Sequence, residues 1–327
     1  MANGQISRRG FLRNVGAFTA AAALAGQLPR LTTARAESPA PRRLRFGVQT
    51  LPQEVSYQDI QRVWQEADTL GFDSVFLYDH FLPIYTEPTG PCLEGWTLLS
   101  ALAAQTRNVR VGLLVTGNTY RNPAILAKMA ATVDHISGGR LILGMGAGWF
   151  EREHAAYGVP FYSPGERARR LVEAVEIVKM LFTQEKTTYN GKYYKLQDAP
   201  FAPKPLQKPH PPILIGGMGP KVIQPLAARH ADIWNFVVRE GGPEAVKQIG
   251  DKFDALCRQV GRNPAEIEKS FTLRPPLLNQ PSAEVRQQVQ AYADAGVRYF
   301  IVWLPPPYDR EMLRRFAKEV MPAFRET

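Results

Sequence analysis

The sequence alternates short apolar segments with longer amphipathic ones, beginning at Leu44 and continuing almost to the last residue. The amphipathic segments repeat apolar residues at helical spacing, as in residues 57–70, where Ile60, Val63 and Trp64 fall on one face. Parallel strands need a long connection before the chain can return to the same edge of a sheet. Strands that alternate with helices therefore indicate a parallel sheet covered by helices.

The alternation predicts eight strands, each followed by a helix. The strands are predicted at 44–49, 74–78, 109–115, 141–145, 213–215, 233–236, 269–274 and 299–303. The helices are predicted at 57–70, 96–105, 123–138, 166–182, 222–229, 243–260, 283–295 and 310–320. Eight such units favour an α/β fold of the TIM (β/α)8 barrel class with insertions, forming one domain over residues 37–327. A doubly wound open sheet is the alternative that the same pattern allows.

One segment interrupts the alternation. Residues 187–196 predict a β-hairpin around Asn190-Gly191, a dipeptide that strongly favours tight hairpin turns. A proline-rich stretch from Pro200 to Pro212 follows it. We expect this insertion and the loop at residues 82–91 to shape the substrate pocket.

The first 36 residues have the features of an export signal. Arg8-Arg9 precede an alanine-rich apolar run that is too short for a membrane-spanning helix, which needs about 20 residues. Ala34-Arg35-Ala36 then matches the pattern of small residues that a signal peptidase cleaves. Paired arginines followed by Phe11-Leu12 resemble a twin-arginine (Tat) signal, which is a receptor-read address and no anchor. We therefore expect the Tat machinery to export the folded protein, with its cofactor loaded beforehand and no stable membrane insertion. A disordered basic tail is the alternative.

The charge of the chain does not favour a nucleic-acid partner. The formal net charge is +10, but residues 1–36 hold five arginines and no acid, and the remainder carries 35 basic and 30 acidic side chains. Such a mild excess, without runs of lysine or arginine, is not typical of nucleic-acid binding. Cys92 and Cys257 lack metal-ligand spacing and are predicted to be buried free thiols, with a single disulfide as the alternative.

Two polar residues directly follow the second predicted strand. Asp79 and His80 stand where the active sites of (β/α)8 barrels lie, at the carboxyl ends of the strands. A histidine exchanges protons near neutral pH, and a neighbouring carboxylate can orient it. Both residues are therefore candidates for catalysis. A loop-capping carboxylate and a packed ring are the alternatives.

Small residues follow the next three strands. Glycine lets the backbone approach a flat ring, and the N–H groups of glycine-rich turns can hold an anion. Two glycine-rich turns at one end of the barrel, at residues 144–149 and 216–219, favour a phosphorylated cofactor over turns that are merely tight. The candidate cofactor-binding residues are Asp79, Thr116, Gly117, Asn118, Gly146, Ala147, Gly148, Trp149, Gly216, Gly217, Met218 and Gly219.

Other catalytic motifs are absent from the sequence. It contains no Gly-x-Ser-x-Gly elbow, no paired-histidine zinc motif and no P-loop, and we predict no metal site. His154, within Glu151-Arg152-Glu153-His154, is interpreted as part of a solvated helix face.

Together these motifs resemble the luciferase-like monooxygenase superfamily, and within it the branch of oxidoreductases that depend on coenzyme F420. The resemblance extends from about Leu44 to Phe324 and rests on residues 79–81, 116–124, 139–149 and 211–217. It implies an eight-stranded barrel with a deazaflavin lying across the strand ends. It also implies a bulge behind the ring, around residues 114–117, which often contains a non-proline cis peptide.

The resemblance implies a role for each turn. Asp79 would contact the deazaflavin, His80 would lie beside the position of hydride transfer, and the glycine turns would hold the side chain and phosphate of the cofactor. Sugar-phosphate dehydrogenases of this branch carry a catalytic glutamate where this chain has Trp149, so that activity is not expected unless Glu94 or Glu151 takes its place. Glu94 is accordingly a third catalytic candidate.

These observations favour F420-dependent hydride transfer to or from a small organic substrate, an alcohol or an unsaturated carbonyl. The alternative on the same barrel is an FMN-dependent monooxygenase that uses reduced flavin and O2. A binding protein that keeps the cofactor site without turnover is a third hypothesis. Dimers are common among the proteins that this chain resembles, which makes a homodimer a further expectation.

Overall fold

The computed structural model describes residues 43–238 and 240–325, so the predicted signal peptide lies outside the described residues. The strands are β1 (Arg45–Thr50), β2 (Ser74–Leu77), β3 (Arg110–Leu113), β4 (Thr116–Gly117), β5 (Leu141–Gly146), β6 (Lys186–Asn190), β7 (Lys195–Pro200), β8 (Ile213–Gly216), β9 (Ile233–Phe236), β10 (Glu268–Leu273) and β11 (Tyr299–Leu304). The α-helices are α1 (Tyr57–Thr69), α2 (Gly95–Gln105), α3 (Pro123–Ile136), α4 (Glu151–Ala156), α5 (Pro164–Thr183), α6 (Ile223–His230), α7 (Gly242–Gln259), α8 (Pro275–Leu278), α9 (Ser282–Asp294) and α10 (Arg310–Arg315).

Eight parallel strands close into a ring in the order β1, β2, β3, β5, β8, β9, β10 and β11. The closing pair is β1 with β11, from Arg45 opposite Tyr299 to Thr50 opposite Leu304. The two-residue strand β4 continues the line of β3 and pairs with the end of β5. This closure confirms the predicted TIM barrel and rules out the open sheet.

The barrel strands are apolar on both faces because both faces are buried. Residues of β2 and β5 are buried along their whole length. A large apolar cluster fills the space between the strands and the helices, and a smaller one, which contains no helical residue, includes Phe76, Ile142, Leu214 and Ile301. Burying each of these large side chains stabilises the fold by about 1.5–3 kcal/mol. This double burial explains why the strands lack alternating polar residues.

The helices begin where the sequence provides caps. The side chain of Ser56 accepts a hydrogen bond from the backbone of Asp59 at the start of α1, and Asn122 with Pro123 starts α3. The last predicted helix is α-helical only as far as Arg315, and Phe316–Val320 forms a π-helix. The helices α4 and α8 were not predicted, because four to six residues are too few to show a helical period.

The insertion contains the predicted hairpin, formed by the antiparallel strands β6 and β7. Its connection runs over residues 191–194 and is longer than the two-residue turn typical of Asn190-Gly191. The carboxylate of Glu173 on α5 accepts hydrogen bonds from the backbone N–H groups of Lys192, Tyr193 and Tyr194, at 2.8, 2.9 and 3.0 Å. This tertiary contact therefore determines the shape of the turn.

Both cysteines are free thiols, as predicted, although only Cys257 is fully buried and Cys92 is partly exposed. No helix within residues 43–238 and 240–325 combines the length and apolar character needed to cross a membrane. In the same part of the chain, no group of three or more His, Cys, Asp or Glu side chains could hold a metal ion.

Candidate active site

A cavity of about 450 Å³ opens at the carboxyl ends of the barrel strands. The structure brings most of the predicted site residues together in its wall, namely Asp79, His80, Gly117, Gly146, Ala147, Gly148, Trp149, Gly216, Gly217, Met218 and Gly219. Residues that the sequence did not single out as site residues also line it, namely Leu114, Val115, Tyr120, Ile223, Asn235 and Val237. The site is therefore built from segments that follow β2, β3, β5, β8 and β9, in agreement with the barrel architecture.

The structure places three predicted residues behind this wall. The hydroxyl of Thr116 donates a hydrogen bond to the carboxylate of Asp79. The backbone N–H of Asn118 donates to the carbonyl of Gly146 at 2.9 Å, and its side-chain amide donates to the hydroxyl of Tyr194 at 3.3 Å. The third is Glu94, whose carboxylate accepts hydrogen bonds from Arg121 and from the start of α2. None of the three is among the residues that line the cavity.

Asp79 is held in a fixed orientation by Arg121, a residue that the sequence did not mark as part of the site. The carboxylate of Asp79 is 1% exposed and accepts two hydrogen bonds from the guanidinium of Arg121, at 2.6 and 3.0 Å. The backbone N–H of Gly117 donates a longer bond of 3.3 Å to the same carboxylate. A two-point pair of this kind fixes position as well as charge.

Glu94 serves the same network from the other side of Arg121. Its carboxylate accepts a 2.6 Å bond from Arg121 and caps α2 by accepting from the N–H groups of Trp96 and Thr97. Partial burial raises the pKa of Glu94, but these backbone bonds and the charge of Arg121 outweigh burial and hold the pKa below its ordinary value. An ionised cap outside the cavity wall has no proton to donate, so the position of Glu94 favours a structural role over the predicted catalytic one.

His80 lies in the cavity wall with one ring nitrogen occupied. Its Nδ1 is 2.6 Å from Oε1 of Glu153, and the ring is 8% exposed. The rings of Tyr78, Trp149 and Phe150 meet it at steep angles, with centroids 4.9, 5.7 and 5.9 Å away. No hydrogen bond within the described residues engages Nε2, which leaves that nitrogen available to a molecule in the cavity.

Glu153 and His154 correct the prediction of a solvated helix face, because both side chains are fully buried. Besides His80, Glu153 accepts a bond of 2.8 Å from the N–H of Phe81 and another from the hydroxyl of Tyr120. Burial raises the pKa of Glu153, but the hydrogen bond and charge of His80 and the bonds from Tyr120 and Phe81 outweigh it and lower the pKa. The carboxylate is therefore ionised near neutral pH.

His154 joins two loops of the site. Its Nδ1 donates to the carbonyl of Phe150 at 2.7 Å, so in the neutral ring Nε2 accepts from the hydroxyl of Thr119, also at 2.7 Å. These bonds tie the turn after β5 to the segment after β4. The only sequence signal for Glu153 and His154 is their place a few residues after a glycine turn.

The segment between β3 and β4 contains the expected bulge. The peptide bond between Leu114 and Val115 is cis, and the side chain of Gln49 donates to the carbonyl of Leu114 at 2.9 Å. The methyl groups of Val115 pack against two glycines. A Cβ atom on Gly146 or Gly216 would lie 2.5 or 2.9 Å from them, closer than such atoms approach.

A second cavity of about 920 Å³ adjoins the first, and Trp149, Gly217, Met218, Asn235 and Val237 line both. Its other walls are mostly apolar or aromatic, from Tyr85, Phe236, Val238, Phe271, Leu273, Pro276, Leu277 and Tyr292. Tyr85 comes from the loop at 82–91, one of the two segments that we expected to shape the substrate pocket. Residues 187–212 line neither cavity, because the hairpin packs beside α5 instead.

Sequence comparison finds relatives with two kinds of cofactor. A protein of Microbacterium testaceum named F420-dependent glucose-6-phosphate dehydrogenase is 35% identical over 228 residues, which is 69% of this chain and 66% of that protein. An FMNH2-dependent dimethylsulfone monooxygenase of Pseudomonas putida is 36% identical over 143 residues, 44% of this chain and 39% of that protein.

Structure comparison gives the same fold. An F420-dependent secondary alcohol dehydrogenase, solved in complex with an F420-acetone adduct, superposes with a TM-score of 0.77 at 23% identity, over 87% of this chain and 100% of the other. The family model for luciferase-like monooxygenases matches residues 43–322. The chain therefore belongs to the luciferase-like monooxygenase family.

Proposed function

We propose that the protein is an F420-dependent oxidoreductase that transfers a hydride between the deazaflavin and a small organic substrate, an alcohol or an unsaturated carbonyl. The observation that carries this proposal is His80, with Nδ1 held by a buried carboxylate, in the wall of a cavity built mostly from glycine turns and apolar side chains. The F420-dependent relative supports the choice of cofactor.

The cavity wall fits a flat, phosphorylated cofactor. Gly146 and Gly216 leave no room for a Cβ beside Val115, so backbone and valine methyl groups together form a smooth surface. The turn over residues 216–219, which leads into α6, would receive the phosphate, because consecutive backbone N–H groups near a helix start favour an anion. Asp79 and Gly117 would contact the ring, and Gly146–Gly148 would hold its side chain.

His80 of the chain transfers the substrate's proton. F420, when bound, supplies the two-electron chemistry as a hydride acceptor or donor. Oxidation of an alcohol to a carbonyl releases a hydride from carbon and a proton from oxygen, and Nε2 of His80 accepts that proton. In the reverse direction Nε2 returns the proton to the carbonyl oxygen.

The mostly apolar walls of the second cavity support a largely apolar alcohol or carbonyl as the substrate. Trp149 is 60% exposed and presents its indole where the two cavities meet. The surrounding walls offer few hydrogen-bonding groups for sugar hydroxyls, chiefly Asn235, Thr272 and Arg274 with two tyrosines. Burial of apolar surface would therefore contribute most of the substrate's binding free energy.

An FMN-dependent monooxygenase is the second candidate, and the FMNH2-dependent relative favours it. Titrating the purified protein with F420 and FMN separately, followed by fluorescence, distinguishes the two. We expect submicromolar binding of F420 and weak binding of FMN. The opposite order would favour the monooxygenase, and binding of neither would contradict both.

The role of His80 is tested by His80→Ala. Because the ring moves a proton and contributes little to the cofactor surface, turnover should fall by about 10²–10⁴-fold while F420 affinity changes little. His135→Ala is the matched control, since His135 is exposed and hydrogen-bonds Lys204 far from the cavity. Equal losses of turnover and affinity in His80→Ala would contradict the assignment.

We also propose that the Tat machinery exports the protein and that it forms a homodimer. The paired arginines Arg8-Arg9 support the first proposal. The resemblance to dimeric proteins supports the second, and analytical ultracentrifugation at micromolar concentration tests it: a single monomeric species would contradict it.

A further inference from the structure

Glu153 is a fully buried carboxylate that lies behind His80 and does not line either cavity. We infer that Glu153 is a positioning residue that fixes His80 in the tautomer protonated on Nδ1, so that Nε2 faces the cavity as a proton acceptor. The inference rests on the proposed function only for the use of that proton. The tautomer itself is a property of the protein alone.

The hydrogen bonds of Glu153 determine which nitrogen of His80 carries the proton. An ionised carboxylate can only accept, so Nδ1, 2.6 Å from Oε1, must be the donor. In the neutral ring Nε2 then carries a lone pair and not a hydrogen. The carboxylate is held by two further donors, the N–H of Phe81 on Oε2 and the hydroxyl of Tyr120 on Oε1.

The groups around His80 leave Glu153 as its partner. The titratable and charged groups that contact His80, or that contact its neighbours in turn, come from four segments. They are Tyr78 and Asp79 after β2, Cys92 and Glu94 before α2, Tyr120 and Arg121 after β4, and Glu153 and His154 on α4. Arg121 is already paired with both Asp79 and Glu94. Burial and the bond to Glu153 raise the pKa of Tyr120, and burial raises the pKa of Cys92 to about 12, so both stay neutral.

Glu153 is also placed to pair with the charge that forms on His80 when Nε2 accepts a proton from the substrate. Before uptake, Glu153 is a buried carboxylate beside a neutral ring. After uptake, it is paired with an imidazolium ion at 2.6 Å, and a paired buried charge is far less costly than an unpaired one. Glu153 therefore supports the proton transfer by orienting the ring and by balancing the charge that forms on it.

The variant Glu153→Gln separates this role from simple packing. The N–H of Phe81 still needs an acceptor, so the amide oxygen takes the place of Oε2 and the NH2 group takes the place of Oε1. That NH2 group would donate to Nδ1 of His80 and force the proton onto Nε2. A ring protonated on Nε2 cannot accept the substrate's proton, and alcohol oxidation should fall by about 10²–10⁴-fold with F420 affinity unchanged.

The tautomer is measured directly by long-range ¹H–¹⁵N correlation spectra of the ¹⁵N-histidine-labelled protein without cofactor, in alkaline buffer. We expect the Nδ1–H form of His80 in the wild type and the Nε2–H form in Glu153→Gln. Glu166→Gln is the control, because Glu166 pairs with Arg170 on the surface of α5 and should leave the spectrum unchanged. An Nε2–H form in the wild type, or the same tautomer in both, would overturn the inference.

A second variant covers the case in which Glu153→Gln does not fold. Glu153→Asp keeps an acceptor-only carboxylate on a shorter side chain, so it should retain the Nδ1–H form while losing part of the activity. Loss of the Nδ1–H form in Glu153→Asp would overturn the inference. Since the spectra need no F420, a failed cofactor titration would contradict the proposed function and leave the tautomer result intact.

Discussion

At Gly146 the absence of a side chain shapes the site, because the space that a Cβ would need is occupied by Val115. An added Cβ would lie 2.5 Å from a methyl group of Val115. Gly146→Ala should therefore push Val115 into the cavity and weaken F420 binding about tenfold or more, since overpacking costs about 1–3 kcal/mol. Fluorescence titration measures the change.

Two further variants identify the cause of this loss. Val115→Ala combined with Gly146→Ala removes the clashing methyl groups and should recover part of the affinity. Gly250→Ala, on α7, is the control, because its Cβ would make only ordinary van der Waals contacts with Lys269 and Ala295. Binding by Gly146→Ala within twofold of the wild type would show that the close contact does not matter.

Residues next to a strand end could be predicted from the sequence, and their partners could not. Asp79 and His80 directly follow an apolar strand, so their position at the active-site face follows from the barrel alone. Arg121 and Glu153 lie 42 and 73 residues further along from the groups they bind. A charged residue on a short helix is usually solvated, and only the tertiary structure shows that Glu153 is buried.

Asp68, near the end of α1, ties that helix to the loop before β3. Its carboxylate accepts backbone N–H bonds from Arg107, Asn108 and Val109, at 2.9, 2.8 and 2.8 Å. Burial raises the pKa of Asp68, but these three bonds and the charge of Arg140 outweigh it and lower the pKa. The stabilisation is thus complete above the unfolded-state pKa, about 4, and is lost as pH falls through the lower folded-state pKa.

Asp68→Asn should therefore lower the free energy of unfolding by about 2 kcal/mol at neutral pH, the range for hydrogen bonds to a charged group. The difference from the wild type should begin to narrow below about pH 4 and should disappear only once the pH is below the lowered folded-state pKa, where both side chains are neutral. Urea denaturation at a series of pH values measures it. Glu311→Gln, at a side chain 90% exposed, should follow the wild type throughout. A difference that stays constant with pH would contradict the role of the charge.

Helices and strands were predicted well where burial agrees with the spacing of apolar residues in the sequence. They were predicted less well where a contact with a distant residue determines the local structure. The strand β9 has the predicted bounds because all four of its residues are buried and three of them, Ile233, Trp234 and Phe236, are apolar or aromatic. The hairpin turn differs because Glu173, on another element, binds three of its N–H groups. The final helix changes to a π-helix at Phe316, where the side chain packs against Phe46 and Phe72.

At the scale of the whole molecule, the barrel follows from the eightfold alternation, whereas the proposal of export rests on the sequence of residues 1–36. Replacing both Arg8 and Arg9 with lysine should block export by the Tat machinery while leaving the fold unchanged. Cell fractionation with N-terminal sequencing measures this: wild-type protein should appear outside the cytoplasm beginning at Glu37. Arg13→Lys should leave export intact. Wild-type protein that stays in the cytoplasm with residues 1–36 attached would contradict the proposal.

The pairing of β1 with β11 also governs the order of events during synthesis. These strands are the first and last of the barrel to leave the ribosome, yet they are neighbours in the finished ring. Until Tyr299–Leu304 emerges, the growing sheet keeps two unpaired edges, and such edges are open to wrong pairing. The ring whose strand ends form the cavity is therefore closed only after β11 has been made. A molecule that binds in this cavity can therefore do so only after β11 has been made and has closed the ring.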